Sequence, residues 1–287
     1  MTELLLLTGA NGRTGRAVLK SMVKARIPVR AFIRDAAQEK ALLDLGASEC
    51  VVGDLNDAAS INSAAAGVTK ILHIGPPMHP DELAITERLV AASKAEDINQ
   101  FIYYSVMHPL RREVRHHRLK LDAEEQLIES GVPYTILQPS RYMQHVDPLW
   151  PRIVEDGIHA MPFDIGKPFS VVDLADLADA CAVVAGSESH LFATYELAGP
   201  EALSQSDMAQ IIENEIKRPV QAQAVPLDVV EEKARAAGAN DDRIEQMVIM
   251  NRHYDSHGFL GNSNVLEYLL GRPANRYRSY IQSLSRR

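Results

Sequence analysis

Cysteine is scarce in this 287-residue chain: only Cys50 and Cys181 occur, far apart in sequence. They make neither a metal-ligand spacing nor a disulfide framework, which fits a reducing, cytoplasmic setting. Basic charge is in deficit as well, with 30 Lys and Arg against 38 Asp and Glu and a net charge of −8. A pI of about 5.7 leaves no basic footprint for nucleic acid. No apolar run approaches the roughly 20 residues of a membrane span. The opening run Leu4–Leu7 is too short for a signal-peptide core and lacks a basic flank. The ten histidines fall into no metal spacing. The G-x-S-x-G elbow of a serine hydrolase is absent. Repeats and low-complexity linkers are absent too. What remains, 46% hydrophobic and 24% charged residues, is the balance of a soluble globular protein with enough chain for a large core.

Within the first half, apolar runs alternate with helical patterns. Strands are expected at Glu3–Thr8, Pro28–Ile33, Ser48–Val52, Lys70–Ile74, Gln100–Ser105 and Tyr134–Gln138, with helices at Gly12–Ala25, Ala36–Leu45, Asp57–Ala65, Asp81–Glu96 and Arg115–Ser130. That rhythm predicts a Rossmann-type, doubly wound α/β fold around a parallel sheet. The strand runs are apolar throughout, as helices on both faces require. After Gln138, prolines break the chain into loops and short elements, followed by a helix at Asp173–Ala185 and a strand at Thr194–Leu197. Beyond Ser204 the patterns are mostly helical: Gln205–Ile216, Leu227–Ala237, Asp241–Tyr254 and Asn264–Leu270, with a short strand near Val220–Val225. We expect a nucleotide-binding domain over 1–140, with 166–200 returning to it, and a smaller substrate-binding lid from 141–165 and 201–287.

Gly9-x-x-Gly12-x-x-Gly15 lies between the first strand and the first helix, the context of a dinucleotide fingerprint. Gly9 permits the tight turn, Gly12 lets backbone approach a pyrophosphate, and Gly15 lets the helix pack on the strand. The phosphates would then meet the free N–H groups of the helix start. The turn lacks the Gly-Lys-Ser/Thr ending of an NTPase. Ile33-Arg34-Asp35 ends the second strand, with Arg34 nineteen residues past Gly15. An acid there would hold the ribose hydroxyl of NAD, whereas an arginine accommodates the 2′-phosphate of NADP. Arg34 comes first after the apolar run, and Arg13 offers a second guanidinium, so NADP(H) is expected over NAD(H). Asp54 reads either as an acceptor for the adenine amino group, with Leu55 on the ring, or as a helix cap, a role also open to Asn56 or Asp57. Gly75-Pro76-Pro77 reads as clearance for a ribose or as a rigid loop.

These motifs together resemble the NmrA-like family of atypical short-chain dehydrogenases. The resemblance is carried by Thr8-Gly9-Ala10-Asn11-Gly12-Arg13-Thr14-Gly15, Val29–Asp35, Gly53-Asp54-Leu55, Gly131–Pro139, Phe169–Asp176 and Gly271-Arg272-Pro273. It implies that Asn11 and Thr14 share the cofactor turn with its glycines. It also implies a reductase of quinones, dyes or related compounds, or a regulator that senses NADP without turning it over. Typical short-chain dehydrogenases carry Tyr-x-x-x-Lys on the helix after the fifth strand. Here Lys120 falls at the lysine position and His116 where the tyrosine would stand. The resemblance makes Lys120 a ligand of the nicotinamide ribose and Ser105 a carbonyl-orienting residue. His116 and Tyr142 are alternative proton donors. The run Arg111–Arg118 otherwise reads as a solvated charged face. Two functions follow: an NADPH-dependent reductase of a small apolar or aromatic carbonyl, quinone or conjugated alkene, or an NADP(H)-sensing regulator. A small-molecule substrate is expected, with no nucleic acid, membrane or metal partner. A homodimer is compatible with the sequence.

Overall fold

A computed structural model describes residues 3–286. Residues 1, 2 and 287, which belong to the expected regions 1–140 and 201–287, lie outside the described residues. The first half runs β1 (Leu5–Leu7), α1 (Arg13–Lys24), β2 (Val29–Ile33), α2 (Glu39–Leu43), β3 (Glu49–Val52), α3 (Ala58–Ala65), β4 (Lys70–Ile74), α4 (Glu82–Ala95), β5 (Gln100–Tyr104), α5 (Arg115–Glu129) and β6 (Tyr134–Pro139). The second half runs β7 (Arg141–Tyr142), α6 (Trp150–Asp156), β8 (Ile158–Met161), β9 (Phe169–Val172), α7 (Leu174–Ala185), β10 (Ala193–Leu197), β11 (Glu201–Leu203), α8 (Gln205–Ile216), β12 (Gln221–Ala224), α9 (Leu227–Ala236), α10 (Asp241–His257), α11 (Asn264–Leu270) and α12 (Tyr277–Leu284).

Seven strands form one parallel sheet in the order β10-β6-β5-β4-β1-β2-β3. The leucine run shows why its strands are oily throughout. Leu5 and Leu7 enter the core beneath α1, α7 and α11, while Leu6 faces the opposite core with Ile61, Leu89 and Leu127. Successive side chains of a strand point to opposite faces, so burial on both faces removes any polar alternation. Chain order reverses between β1 and β4, which opens a crevice at the carboxyl ends of the strands.

The segment after Gln138 holds more strand than its sequence indicates. β7, β9 and β11 form a three-stranded sheet, and β8 pairs with β12. Of residues 166–200, α7 and β10 join the layers of the large sheet, whereas β9 belongs to the small one. A third core gathers Met143, Ile153, Phe169, Ile212, Tyr254 and Tyr277 beneath the helices of the C-terminal part. The charged run Arg111–Arg118 forms the seam to it. His117 is 0% exposed and contacts Tyr254 Oη at 2.6 Å. Arg111 donates to Gly258 O at 3.1 Å, and Arg115 pairs with Asp242. This corrects the expectation of a solvated face in part: Arg112, Glu113 and Arg118 stay exposed, while Arg111, Arg115 and His117 find partners on α10 and its C-cap.

Candidate active site

The glycine turn is built as its spacing requires. Gly9 has φ +64°, and a Cβ on Gly15 would stand 2.2 Å from Gly9 O, so neither position has room for a side chain. Gly12 caps α1 without any side-chain hydrogen bond, leaving the N–H groups of the first turn open to an anion. Arg16 braces the turn, its Nη2 donating to Asn11 Oδ1 at 2.5 Å. Arg13 is exposed but turned toward the second half, with Nη1 donating to Gln144 O at 2.8 Å.

Arg34 lines an open groove of about 480 Å³ with Asp35, Gln38, Val52, Gly53 and Asp54. Arg34 makes no hydrogen bond or ion pair with another described residue. Asp35 is committed elsewhere: its carboxylate caps the turn at 36–38 by accepting from Ala37 N at 2.9 Å. Asp57, not Asp54, caps α3, so Asp54 stays exposed on the groove wall with only Asn56 N on its carboxylate. Leu55 is half-buried and packs on the core.

Lys120 is 5% exposed and is not a surface lysine. Its Nζ donates to Glu82 Oε1 at 2.7 Å and to Tyr104 O at 3.1 Å. An ammonium has three donors, so one remains. Glu82 also accepts from Tyr103 Oη at 2.7 Å. Burial alone would raise the Glu82 pKa, but the Lys120 ammonium, then His73 and the hydrogen bonds from Lys120 and Tyr103, outweigh it and hold the carboxyl at about 2. Gly75 gives this carboxylate its space: a Cβ there would lie 2.7 Å from Glu82 Oε2. Pro76 follows, half-buried. Beside the pair, buried His73 bonds Thr8 Oγ1 at 2.7 Å; burial, with Lys120 adding and Glu82 opposing, lowers its pKa to about 4.

The other three catalytic candidates fare differently. Ser105 is buried, and its hydroxyl donates to Glu124, which also accepts from Gln138 Nε2 at 2.9 Å. That commitment opposes the carbonyl-orienting role. Burial first, then the Lys120 charge, lowers the His116 pKa to about 4, with Glu82 opposing, so the ring is neutral at pH 7. Tyr142 reaches the cofactor turn: Thr14 Oγ1 donates to its Oη at 3.5 Å, and Tyr142 donates to Tyr104 Oη at 2.9 Å. Burial raises its pKa, so the phenol keeps its proton at neutral pH. Tyr142 also stacks on His145, with ring centroids 5.5 Å apart, and lines an apolar recess with Met143, Val146 and Met161.

Sequence reasoning missed Glu82, His73 and Tyr104. Glu82 was detectable. It stands at the i position of an i, i+3, i+7 stripe with Ile85 and Leu89, and a charge on an apolar helix face calls for a buried partner.

Residues 1–274 match the family model described as the NmrA-like family. The chain belongs to that family. The NAD(P)H azoreductase of Xenophilus azovorans is 25% identical over 281 residues, 98% of this chain and 97% of that protein. Quinone oxidoreductase 2 of Escherichia coli is 25% identical over 288 aligned positions, 98% of each. Among solved structures, the NADPH-dependent quinone oxidoreductase of Escherichia coli complexed with NADPH has a TM-score of 0.85 at 24% identity, covering 98% of this chain and 99% of that one. NmrA, a negative transcriptional regulator in complex with NADP, has a TM-score of 0.80 at 18% identity, covering 99% and 96%. These likenesses show the fold. Among the described residues no helix is long and apolar enough to cross a membrane.

Proposed function

We propose that the chain is an NADPH-dependent reductase of a small apolar or aromatic acceptor, a quinone, carbonyl or conjugated alkene. The observation that carries this reading is Tyr142: its hydroxyl meets Thr14 of the glycine turn, and its ring borders the mouth of an apolar recess, where a small acceptor can lie against it. A pure cofactor sensor has no need of such a recess. Full-length relatives named as azoreductase and quinone oxidoreductase support the same class.

The residues fit the cofactor. Gly9, Asn11, Gly12, Thr14 and Gly15 form the pyrophosphate cradle, with the capless start of α1 facing it. Arg34 takes the 2′-phosphate, since Asp35 is occupied as a cap and Arg13 is held by Gln144. Asp54 and Leu55 border the adenine, with Gly75 and Pro76 beside the ribose. Bound NADPH supplies the hydride. Lys120, positioned by Glu82, keeps one N–H for the ribose hydroxyls and adds positive charge where electron density builds in the acceptor. Tyr142 is the proton donor that the geometry favours over Ser105 and His116. Residues 141–165 and 201–286 form the substrate side of the cleft.

NADPH oxidation on a panel of quinones and enones is expected, slowed at least tenfold in Lys120→Ala. No turnover across the panel despite micromolar NADPH binding would establish the sensor instead. That reading draws on the loss of both usual proton-relay positions, with Ser105 bound to Glu124 and His116 neutral. If Arg34→Ala leaves the NADPH/NADH affinity ratio unchanged, the 2′-phosphate assignment is wrong.

A further inference from the structure

The recess beside Tyr142 is apolar over most of its wall, formed by Met143, Val146, Met161, Phe163, Phe169 and Met208, yet it contains a cation. Arg141 places its guanidinium 4.8 Å from the Phe163 ring centroid and 5.3 Å from that of Phe169. The guanidinium's one hydrogen bond to a described residue is a weak one, Nη2 to Met161 Sδ at 3.7 Å. Among the described residues Arg141 has no carboxylate partner; nearby Asp147 accepts from Tyr280. Four of its five N–H donors therefore face no acceptor. Tyr277 lines the same recess, is 1% exposed, and its hydroxyl has no partner. His159 Nδ1 and Gln205 Oε1 on the wall are likewise unpaired.

Arg141 is half-buried with its charge against two rings and no carboxylate beside it, and the buried, orphaned Tyr277 hydroxyl costs stability. Such costs persist where function requires them. We propose that Arg141 and Tyr277 form a subsite for the carboxylate of an aromatic acid, which makes the physiological acceptor an apolar or aromatic compound bearing an acidic group. The class of substrate rests on the reductase reading; the subsite itself does not. Burial lowers Arg141 to about 10, with Tyr254 and Tyr277 opposing, so the guanidinium remains charged at neutral pH. The enclosed space is about 20 Å³, enough for one small polar group and not for a ring. The carboxylate enters, therefore, and the ring stays at the mouth against Tyr142 and Val146. Three methionines in the wall can repack to admit it.

The test is calorimetric titration of the NADP⁺-loaded full chain with matched pairs, benzoate against benzamide and 1-naphthoate against 1-naphthamide. A charge-assisted pairing predicts that each acid binds at least about tenfold more tightly than its amide. Arg141→Met should bring that ratio close to one, Arg141→Lys should keep part of it, and Tyr277→Phe should reduce it. Arg141→Met should also melt no lower than the parent protein, since it removes a half-buried charge that has no carboxylate partner. A ratio near one in the parent protein overturns the proposal, as does failure of every acid to bind at millimolar concentration, which would leave only water in the recess. A ratio retained in Arg141→Met, or a clearly lower melting temperature, would assign the guanidinium to packing and equally overturn it. The quinone panel separates the two readings. Acid preference without turnover keeps the subsite and removes the reductase, whereas turnover with a ratio of one does the reverse.

Discussion

Glu82→Gln, taken with Lys120→Met and the double variant, probes the centre of the proposed site. Glu82 and Lys120 side chains are 3% and 7% exposed and 2.7 Å apart. Removing one partner of a buried ion pair strands the other charge and typically costs about 3–5 kcal/mol. Here the loss is softened, because Lys120 keeps Tyr104 O and lies 4.9 Å from the Tyr103 ring centroid. We expect about 2–3 kcal/mol for Glu82→Gln and about 3 kcal/mol for Lys120→Met. The double variant leaves no stranded charge and should lose less than the sum, giving a coupling of about 2 kcal/mol. Urea denaturation at pH 7.5, followed by circular dichroism, reads all four corners of the cycle. In a chain of this size each single change should lower the melting temperature by roughly 3–5 °C. The pair also has an acid signature. Because the folded Glu82 carboxyl sits at about 2 against an ordinary 4.5, its contribution is complete above pH 4.5 and is lost as pH falls toward 2. Glu82→Gln should lack that part of the acid loss. A coupling below about 0.5 kcal/mol would refute the reasoning, since pairs in genuine contact exceed that value. Lys120 would then be ordered by packing, and its role at the ribose would lose its support.

Three further outcomes follow from the same geometry. Gly15→Ala forces a methyl to within 2.2 Å of Gly9 O. NADPH affinity, measured by fluorescence titration, should fall more than tenfold, with a stability loss of about 1–3 kcal/mol typical of overpacking; unchanged affinity would remove the turn from the cofactor site. Tyr142→Phe keeps the ring on His145 and deletes the proton, so kcat on a carbonyl acceptor should fall at least tenfold with NADPH affinity retained; an unaltered kcat excludes Tyr142 as donor. His73, His117 and His159, at most 2% exposed, are lowered by burial to about 4, 3 and 4. The unfolded chain takes up those protons first, so stability should fall by about 3–4 kcal/mol between pH 7 and 5.5. A flat unfolding midpoint over that window would show that these rings titrate normally.

How much of this was legible in the sequence depended on whether polarity and position told the same story. The six strands and five helices of the first half were readable because the central strands are buried on both faces and so are oily, as Leu5–Leu7 illustrates, while the edge strand Glu49–Val52 keeps a short apolar run. The glycine turn was legible because sterics at Gly9 and Gly15 leave no alternative residue. The small sheet was not. Its strands are two to four residues long and separated by prolines, and β11 meets β9 only across the whole of α7 and β10. Nothing within a two-residue strand such as Arg141–Tyr142 carries a period of its own. α12 was missed as well, although Tyr277, Tyr280, Ile281 and Leu284 lie on one buried face, because two of those positions are tyrosines rather than aliphatics. The site residues failed for a related reason. His117, Lys120 and Glu124 occupy i, i+3 and i+7, the buried stripe of α5, but each is polar, and a hydropathy pattern assigns polar residues to water. They are inside because Tyr254, Glu82 and Ser105 come from other elements to meet them. The information that keeps a charge out of water is divided between segments as much as 137 residues apart. A local reading sees only one half of each pair. Arg141 is the limiting case: no carboxylate among the described residues meets its guanidinium, which lies over Phe163 and Phe169, and that missing half is what the proposed ligand would supply.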